Sequence, residues 1–186
     1  MTELLHHYIA RGAEPWNVST EAAWLDFQLR AWVGPRLPRR RPLRACNVGI
    51  GVGLWDDWLG HTLGAGAQLV SVDRDPDVCR VFELRQQLER HPHAARVVCA
   101  DALYADLGRF DVVTCVGSAL AENGARRGAL EAALANALAP GGVLLIGDVM
   151  CAGDAVPAGA ELRQLDDIVL AFRAIYSDPS ALAAAS

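Results

Sequence analysis

The feature of this sequence that most constrains its fold is an alternation of short apolar runs with longer helical patterns. The runs are nearly all apolar and rich in β-branched residues, as parallel strands are when helices cover both faces of a sheet. They lie at residues 45–50, 68–73, 96–100, 110–116 and 143–149. This order predicts βαβ units, and therefore an α/β fold with a mostly parallel sheet and helices on both faces.

Residues that cap or begin helices divide the stretches between these runs. Asp75 and Pro76 begin one helix, because Asp caps a first turn and Pro is tolerated there. A second helix is predicted from about residue 124 to 138. After the fifth run we expect a loop and then a single helix at about 160–175, so the sheet is predicted to have a shortened carboxyl end.

Length and composition fit one globular domain with flanking segments. A chain of 186 residues, 52% of them hydrophobic, is large enough to bury one core. We expect an amino-terminal helical cover over residues 1–42, the α/β domain over 43–177 and a frayed tail over 178–186.

Net charge and cysteine spacing disfavour several classes of protein. A net charge of −5 gives no support for a nucleic-acid partner. The five cysteines contain no C-x-x-C pair, which favours free thiols in a reducing cytoplasm over a disulfide framework or a metal site. No stretch is long and apolar enough to predict a signal peptide or a membrane span. The sequence therefore predicts a cytoplasmic protein without a metal, a nucleic-acid partner or a membrane contact.

A glycine-rich turn follows the first predicted strand. Gly49, Gly51 and Gly53 alternate in the sequence NVGIGVGLW. Glycine lets the backbone come close to a ligand, and the start of the following helix favours a negative group. The spacing is G-x-G-x-G, because Leu54 stands where a dinucleotide fingerprint needs its third glycine. We expect a small ligand at this strand's carboxyl end, and the turn alone does not identify it.

Acidic residues lie at the ends of the next two predicted strands. Asp73 ends the second strand, where a carboxylate can accept hydrogen bonds from both hydroxyls of an adenosine ribose. Helix capping is the alternative role, but Asp75 is better placed for it. Asp101 follows the third strand and can accept from an adenine amino group while Leu103 packs on the base. Helix capping stays an alternative for Asp101 as well.

In order and spacing, these pieces resemble the class I S-adenosylmethionine-dependent methyltransferases. The resemblance covers roughly residues 44–150 and rests on the glycine turn, Asp73, ADAL at 100–103, FDVV at 110–113 and LAPGGVL at 138–144. It implies the Rossmann-like fold of that family with strand order 3-2-1-4-5. It also implies S-adenosyl-L-methionine as cofactor and S-adenosyl-L-homocysteine as product.

The resemblance implies a role for each matching residue. The glycine turn faces the methionine portion with Trp55 near it, Asp73 holds the ribose, and Asp101 meets the adenine. The residues expected to bind the cofactor are Gly49, Gly51, Gly53, Trp55, Asp73, Arg74, Asp101, Ala102, Leu103, Val116, Gly117 and Ser118.

The chain departs from the family pattern in the first strand and has a second, shorter resemblance. Asn47 stands where the family usually has an acidic residue, which leaves the contact to the cofactor's amino group open. Glu14, Pro15 and Trp16 are similar to a stretch in nodulation-type small-molecule N-methyltransferases. Trp16 is expected either to close over the cofactor or to be an ordinary buried tryptophan.

The activity implied by the resemblance is methylation of a small molecule. Methyl transfer is an in-line displacement with a good leaving group, so alignment and exclusion of water provide most of the acceleration. Only some acceptors need a base. The candidates for that base are Tyr8, His61 and Asp148, with His6 and His7 next to Tyr8 in the sequence.

Other functions stay open at this point. The same type of cofactor can donate an aminopropyl or aminocarboxypropyl group, and a non-catalytic cofactor-binding subunit would keep the same fold. A nicotinamide-dependent oxidoreductase is disfavoured by Leu54 and by the absence of lysine, which removes a Tyr/Lys pair. The oligomeric state, including a homodimer, and the identity of the acceptor are not predicted.

Overall fold

The computed structural model describes residues 20–40, 42–117, 124–150, 156–165 and 168–178. The α-helices in these residues are α1 (Thr20–Val33), α2 (Leu54–Leu63), α3 (Pro76–Glu89) and α4 (Gly124–Asn136), and a short 3-10 helix, Gly34–Arg36, follows α1. The strands are β1 (Arg44–Val48), β2 (Gln68–Asp73), β3 (Arg96–Cys99), β4 (Phe110–Val116), β5 (Leu138–Met150), β6 (Glu161–Leu165) and β7 (Ile168–Tyr176).

These strands form one sheet in the order β3-β2-β1-β4-β5-β7-β6. Strands β1 to β5 run parallel, whereas β7 is antiparallel to its neighbours β5 and β6. The predicted Rossmann-like α/β fold with strand order 3-2-1-4-5 is therefore confirmed. Because parallel strands end at the same edge of a sheet, the residues that follow β1 to β4 meet at that edge.

The prediction of one helix at about 160–175 is wrong, and so is the shortened carboxyl end. Strands β6 and β7 occupy this segment and pair as a hairpin, from Glu161 opposite Phe172 to Leu165 opposite Ile168. Strand β7 also pairs with β5, from Val143 opposite Tyr176 onward. Periodicity alone does not distinguish a short apolar strand buried in a sheet from a buried helix, so the sequence of this segment is compatible with both structures.

Helices cover both faces of the sheet. On one face, α1 and α2 bury Trp32 and Leu59 in a cluster with Val112 of β4. On the other face, α4 buries Leu134 against Phe110. None of the helices in the described residues is long and apolar enough to cross a membrane.

Helix α1 is attached to the carboxyl-terminal hairpin by an aromatic and ionic cluster. The ring of Trp32 stacks on Phe172 with a centroid separation of 5.0 Å. The indole N–H of Trp32 donates to Glu161 at 2.7 Å, and the guanidinium of Arg36 lies 4.1 Å from the Trp32 ring centroid. Arg163 on β6 donates to Gln28 of α1 at 2.5 Å. The hairpin therefore completes the surface on which α1 packs.

We predict that Phe172→Ala destabilises the protein strongly. The side chain is fully buried and stacked on Trp32, so its loss removes apolar contacts and leaves a cavity. The free energy of unfolding, measured in urea, is expected to fall by about 3 to 5 kcal/mol. Phe27→Ala is the control, because Phe27 on α1 is 65% exposed, and it is expected to change stability by no more than about 0.5 kcal/mol. Equal losses in the two variants would contradict the buried role of Phe172.

Candidate functional site

The glycine-rich turn connects β1 to α2. Gly49, Gly51 and Gly53 all have positive φ, at 89°, 55° and 79°. A Cβ at Gly53 would lie 2.4 Å from the ring of Phe82, so this position excludes any side chain as well as favouring glycine's backbone conformation. The N–H of Gly49 donates to the carbonyl of Val72 at 2.9 Å, which anchors the turn to the neighbouring strand β2.

Asp73 lies beside this turn, at the end of β2. One oxygen of its carboxylate accepts from the backbone N–H of Ile50 at 2.8 Å, and the other accepts from Asp75 N–H at 3.0 Å. Each carboxylate oxygen keeps a further lone pair for a ligand hydroxyl. Asp75 is the residue that caps α3, because its side chain accepts from Asp77 N–H at 2.8 Å. The fold thus brings Asp73 to the glycine turn and leaves the capping role to Asp75.

Asp101 lies next to Asp73 along the same edge. The N–H of Ala100 donates to the main-chain carbonyl of Asp73 at 2.8 Å, which holds the segment after β3 against β2. The Asp101 carboxylate accepts from Leu103 N–H at 3.1 Å and forms an ion pair with Arg126 of α4. The hydrogen bond from Arg126 is the main cause that lowers the pKa of Asp101 below its ordinary value, so this carboxylate is ionised at neutral pH.

Other residues expected at the site lie near the same edge. Ala102 is buried and Leu103 packs half-buried on the core beneath α4, while Arg74 is close enough to Asp101 for its charge to lower the pKa of Asp101 further. Val116 ends β4, and Gly117 follows with a φ of 68° and donates its N–H to Gly147 at 2.8 Å.

Trp55 is engaged within the protein. It lies in the first turn of α2, where its indole N–H donates to the Thr114 hydroxyl at 3.2 Å and its ring packs on Trp58 with a centroid separation of 4.6 Å. This half-buried indole supports the start of α2 against β4. Ser118, which was also expected to bind the cofactor, lies outside the described residues.

A buried polar network lies beneath the glycine turn, and the sequence did not reveal it. Its centre is Asp56 in α2, which is 1% exposed and accepts from the Ser71 hydroxyl and from Nδ2 of Asn47, the latter at 3.0 Å to each oxygen. The same Nδ2 donates to the carbonyl of Gly49 at 3.1 Å. The hydroxyl of Thr114 donates to Oδ1 of Asn47 at 2.8 Å. The network therefore joins β1, β2, β4, α2 and the turn.

Burial favours the protonated form of the Asp56 carboxyl. Desolvation raises the pKa of its carboxyl to about 7, against the opposing effect of the hydrogen bonds from Ser71 and Asn47. Asn47, which stands where the family usually has an acid, is thus directed by its own side-chain bonds toward Asp56, Thr114 and the Gly49 carbonyl.

The two candidate bases in the described residues, His61 and Asp148, lie on different elements. His61 lies in the last turn of α2, away from the glycine turn, where its ring contacts His91 and His93 at centroid separations of 5.0 and 5.3 Å. Asp148 on β5 is buried. It follows Gly147, whose carbonyl accepts from the Gly117 N–H. Tyr8, His6, His7 and Trp16 lie outside the described residues. No group of three His, Cys, Asp or Glu side chains suited to a metal ion occurs in the described part of the chain.

We predict that Asp56 makes stability fall as the pH rises. The folded chain keeps the Asp56 proton up to about pH 7, whereas the unfolded chain loses it near the ordinary value of 3.8, so between these values the folded state binds more protons. Asn resembles the protonated carboxyl and does not titrate. The unfolding free energy of the wild type relative to Asp56→Asn should fall by up to about 1.4 kcal/mol per pH unit between about pH 4 and pH 7. Chemical denaturation of both proteins across this range measures it, and parallel pH profiles would contradict it.

The fold of this chain is similar to those of several solved structures. The O-MT segment of StiE, residues 961–1257, has a TM-score of 0.60 at 17% identity, over 80% of this chain and 52% of that one. Coclaurine N-methyltransferase bound to N-methylheliamine and SAH has a TM-score of 0.56 at 15% identity, over 74% and 38%. The YcgJ protein from Bacillus subtilis has a TM-score of 0.56 at 17% identity, over 67% and 52%. The chain thus spans about half the length of these structures or less, and at these identities the likeness shows the fold alone.

A family model gives a more specific result. It is described as a methyltransferase domain and matches residues 46–146, which is more than half of the chain. A comparison of this sequence with curated proteins found no match. The matched segment runs from β1 into β5 and contains the glycine turn, Asp73 and Asp101. The chain therefore belongs to the methyltransferase domain family.

Proposed function

We propose that this protein is an S-adenosylmethionine-dependent methyltransferase that acts on a small molecule. The observation that carries the proposal is the hydrogen bond at 2.8 Å between the Asp73 carboxylate and Ile50 N–H in the glycine turn. It places a carboxylate with free lone pairs beside backbone that has no side chains at Gly49, Gly51 and Gly53. Family membership supports this proposal, and coclaurine N-methyltransferase, a similar structure, is bound to SAH.

The residues at this edge fit the parts of such a cofactor. The three glycines carry no side chains, so the backbone of the turn can approach the methionine portion closely. Asp73 would hold the ribose hydroxyls, and Asp101 with Ala102 and Leu103 would meet the adenine. Arg74, Trp55, Val116, Gly117 and Ser118 complete the proposed set. The chemistry that S-adenosylmethionine supplies when bound is a methyl group on a good leaving group.

The Asp101–Arg126 pair affects the proposed adenine contact. Arg126 keeps Asp101 ionised, and an ionised carboxylate can only accept hydrogen bonds. An adenine amino group is a hydrogen-bond donor, and the ionised Asp101 carboxylate is the acceptor that this proposed contact needs. Arg126 also occupies one carboxylate oxygen, and the amino group would have to share Asp101 with it.

The protein's contribution to the proposed in-line transfer is alignment and exclusion of water. The acceptor would enter above the carboxyl ends of β4 and β5, where Gly117 and Gly147 are hydrogen-bonded. Asp148 and Tyr8 remain proposed bases for acceptors that must lose a proton. His61 is a weaker proposal, because it lies in the last turn of α2 rather than at the glycine turn.

We predict that Asp73→Asn weakens the binding of S-adenosylmethionine. The substitution removes the charge and one acceptor oxygen while keeping the size of the side chain. A hydrogen bond to a charged group contributes about 1.5 to 3 kcal/mol, so Kd measured by calorimetry should rise about tenfold to a hundredfold. Asp77→Asn is the matched control, because this carboxylate lies on α3 and pairs with Arg80. The proposed ribose contact is wrong if both variants bind the cofactor like the wild type.

We predict that the wild-type protein binds S-adenosylmethionine and S-adenosylhomocysteine but not NAD. The G-x-G-x-G turn, with Leu54 in place of a third fingerprint glycine, is the physical reason. Calorimetry with the three ligands tests binding. Mass spectrometry of candidate small amines and phenols incubated with the protein and S-adenosylmethionine then tests transfer. Gain of one methyl group is the expected result, whereas gain of an aminopropyl or aminocarboxypropyl group would replace the proposed reaction.

A further inference from the structure

Two cysteines meet at the edge of the sheet that carries Asp73 and Asp101. Cys79 lies in the first turn of α3 and Cys99 is the last residue of β3. In the parallel ladder of β2 and β3, Cys99 is the register partner of Asp73. The main-chain carbonyl of Asp73 accepts both from the Cys79 thiol at 3.5 Å and from the N–H of Ala100, next to Cys99, at 2.8 Å. Cys99 lies close enough to Cys79 to contribute to raising the pKa of the Cys79 thiol.

The surroundings of the two thiols differ. Cys99 is exposed, whereas the side chain of Cys79 is buried in a cluster with Ile50, Val78 and Phe82. Burial and the neighbouring Cys99 raise the pKa of the Cys79 thiol to about 12. A small reagent in solution therefore reaches Cys99 first, and Cys79 is the buried second thiol beside the same residue, Asp73. A pair of this kind can both react and resolve.

We infer that Cys79 and Cys99 form a reversible dithiol–disulfide pair, a modification site whose reactants are small disulfides such as oxidised glutathione. The inference is carried by the position of the two residues at Asp73, whose main-chain carbonyl accepts from the Cys79 thiol and whose register partner is Cys99. The other described cysteines, Cys46 and Cys115, are buried in the core beneath α4 and are not exposed to such reagents.

The reaction is an ordinary thiol–disulfide exchange. The thiolate of Cys99 attacks one sulfur of oxidised glutathione, forms a mixed disulfide and expels one glutathione thiolate, which takes up the proton that Cys99 lost. Cys79 then attacks the Cys99 sulfur, the Cys79–Cys99 bond forms, and the second glutathione leaves with the Cys79 proton. Two protein thiols are oxidised and one small disulfide is reduced. Excess reduced glutathione reverses both steps.

The consequence for the site rests on the proposed function. Formation of the disulfide removes the S–H donor from the Asp73 carbonyl and draws the first turn of α3 toward β3. The carboxylate of the same residue bonds the glycine turn, so oxidation disturbs the proposed ribose contact. Cofactor affinity should fall by about fivefold or more on oxidation. By linkage, bound cofactor must make the pair harder to oxidise by the same factor.

The first experiment maps disulfides and does not depend on the cofactor. The folded protein is equilibrated in glutathione buffers of increasing oxidised fraction, quenched with an alkylating reagent and digested for mass spectrometry. We expect a peptide cross-linked between Cys79 and Cys99, with Cys46 and Cys115 alkylated as thiols. Cys151→Ser, a variant outside the described residues, should give the same cross-link. Cys99→Ser should form no intramolecular disulfide at Cys79, and Cys79→Ser should stop at the Cys99 mixed disulfide. Absence of the cross-link in folded wild-type protein would overturn the inference.

The second experiment tests coupling to the site. Calorimetry with S-adenosylhomocysteine compares reduced and oxidised wild type, with Cys99→Ser under both conditions as the control. We expect the Kd for S-adenosylhomocysteine to rise only in oxidised wild type. When the ligand is present, half-oxidation of the pair should require a higher ratio of oxidised to reduced glutathione, changed by the matching factor. A cross-link with unchanged Kd and unchanged ratio would overturn the coupling. If the ligand fails to bind the reduced protein, the proposed function fails, while the mapped disulfide still decides the modification site.

Discussion

The geometry of the glycine turn depends on the buried carboxyl of Asp56. Ser71 on β2 and Asn47 on β1 both donate to it, and Asn47 also donates to the carbonyl of Gly49. One carboxyl group thus couples α2 to β1 and β2 and, through Asn47, to the glycine turn. A polar group buried this deeply is tolerated only when its hydrogen bonds are made. The turn, the start of α2 and the ends of β1 and β2 are therefore positioned as one unit, and the proposed cofactor edge inherits its shape from that unit.

The parallel part of the fold could be predicted because it follows from local rules. Apolar runs separated by helical stretches imply parallel strands, and the strand ends then bring Asp73 beside the glycine turn without further information. The hairpin of β6 and β7 could not be predicted in this way. The apolar run Ile168–Tyr176 is a strand because β5 offers an unpaired edge, from Val143 to Met150, to which it bonds. That edge is a tertiary feature, and no residue near the run encodes it.

The polar partners of the site escaped prediction for a related reason. Asp56 and Asp57 are neighbours in the sequence, and nothing in the surrounding residues distinguishes them. A helix turns about 100° per residue, so Asp56 points into the sheet while Asp57 pairs with Arg85 of α3 at 2.7 Å. Similarly, Arg126 lies in an alanine-rich helix, and only the packing of α4 on the sheet selects Asp101 as its partner. Positions of this kind depend on the docking angle of a helix, which a single sequence does not specify.

Asp73 connects the glycine turn to the segment that carries Cys79 and Cys99. Its carboxylate bonds Ile50 in the glycine turn, and its main-chain carbonyl bonds Ala100 after β3 and the thiol of Cys79 on α3. A movement of α3 or β3 therefore reaches the turn through one residue and two hydrogen bonds, without a chain of intermediate side chains. Since the coupling free energy between two sites is the same in both directions, a ligand that fixed the Asp73 carboxylate would also make the proposed thiol pair harder to oxidise. Asp73 alone joins the proposed ligand contact to the thiol pair, so the proposed coupling requires no longer pathway through the domain.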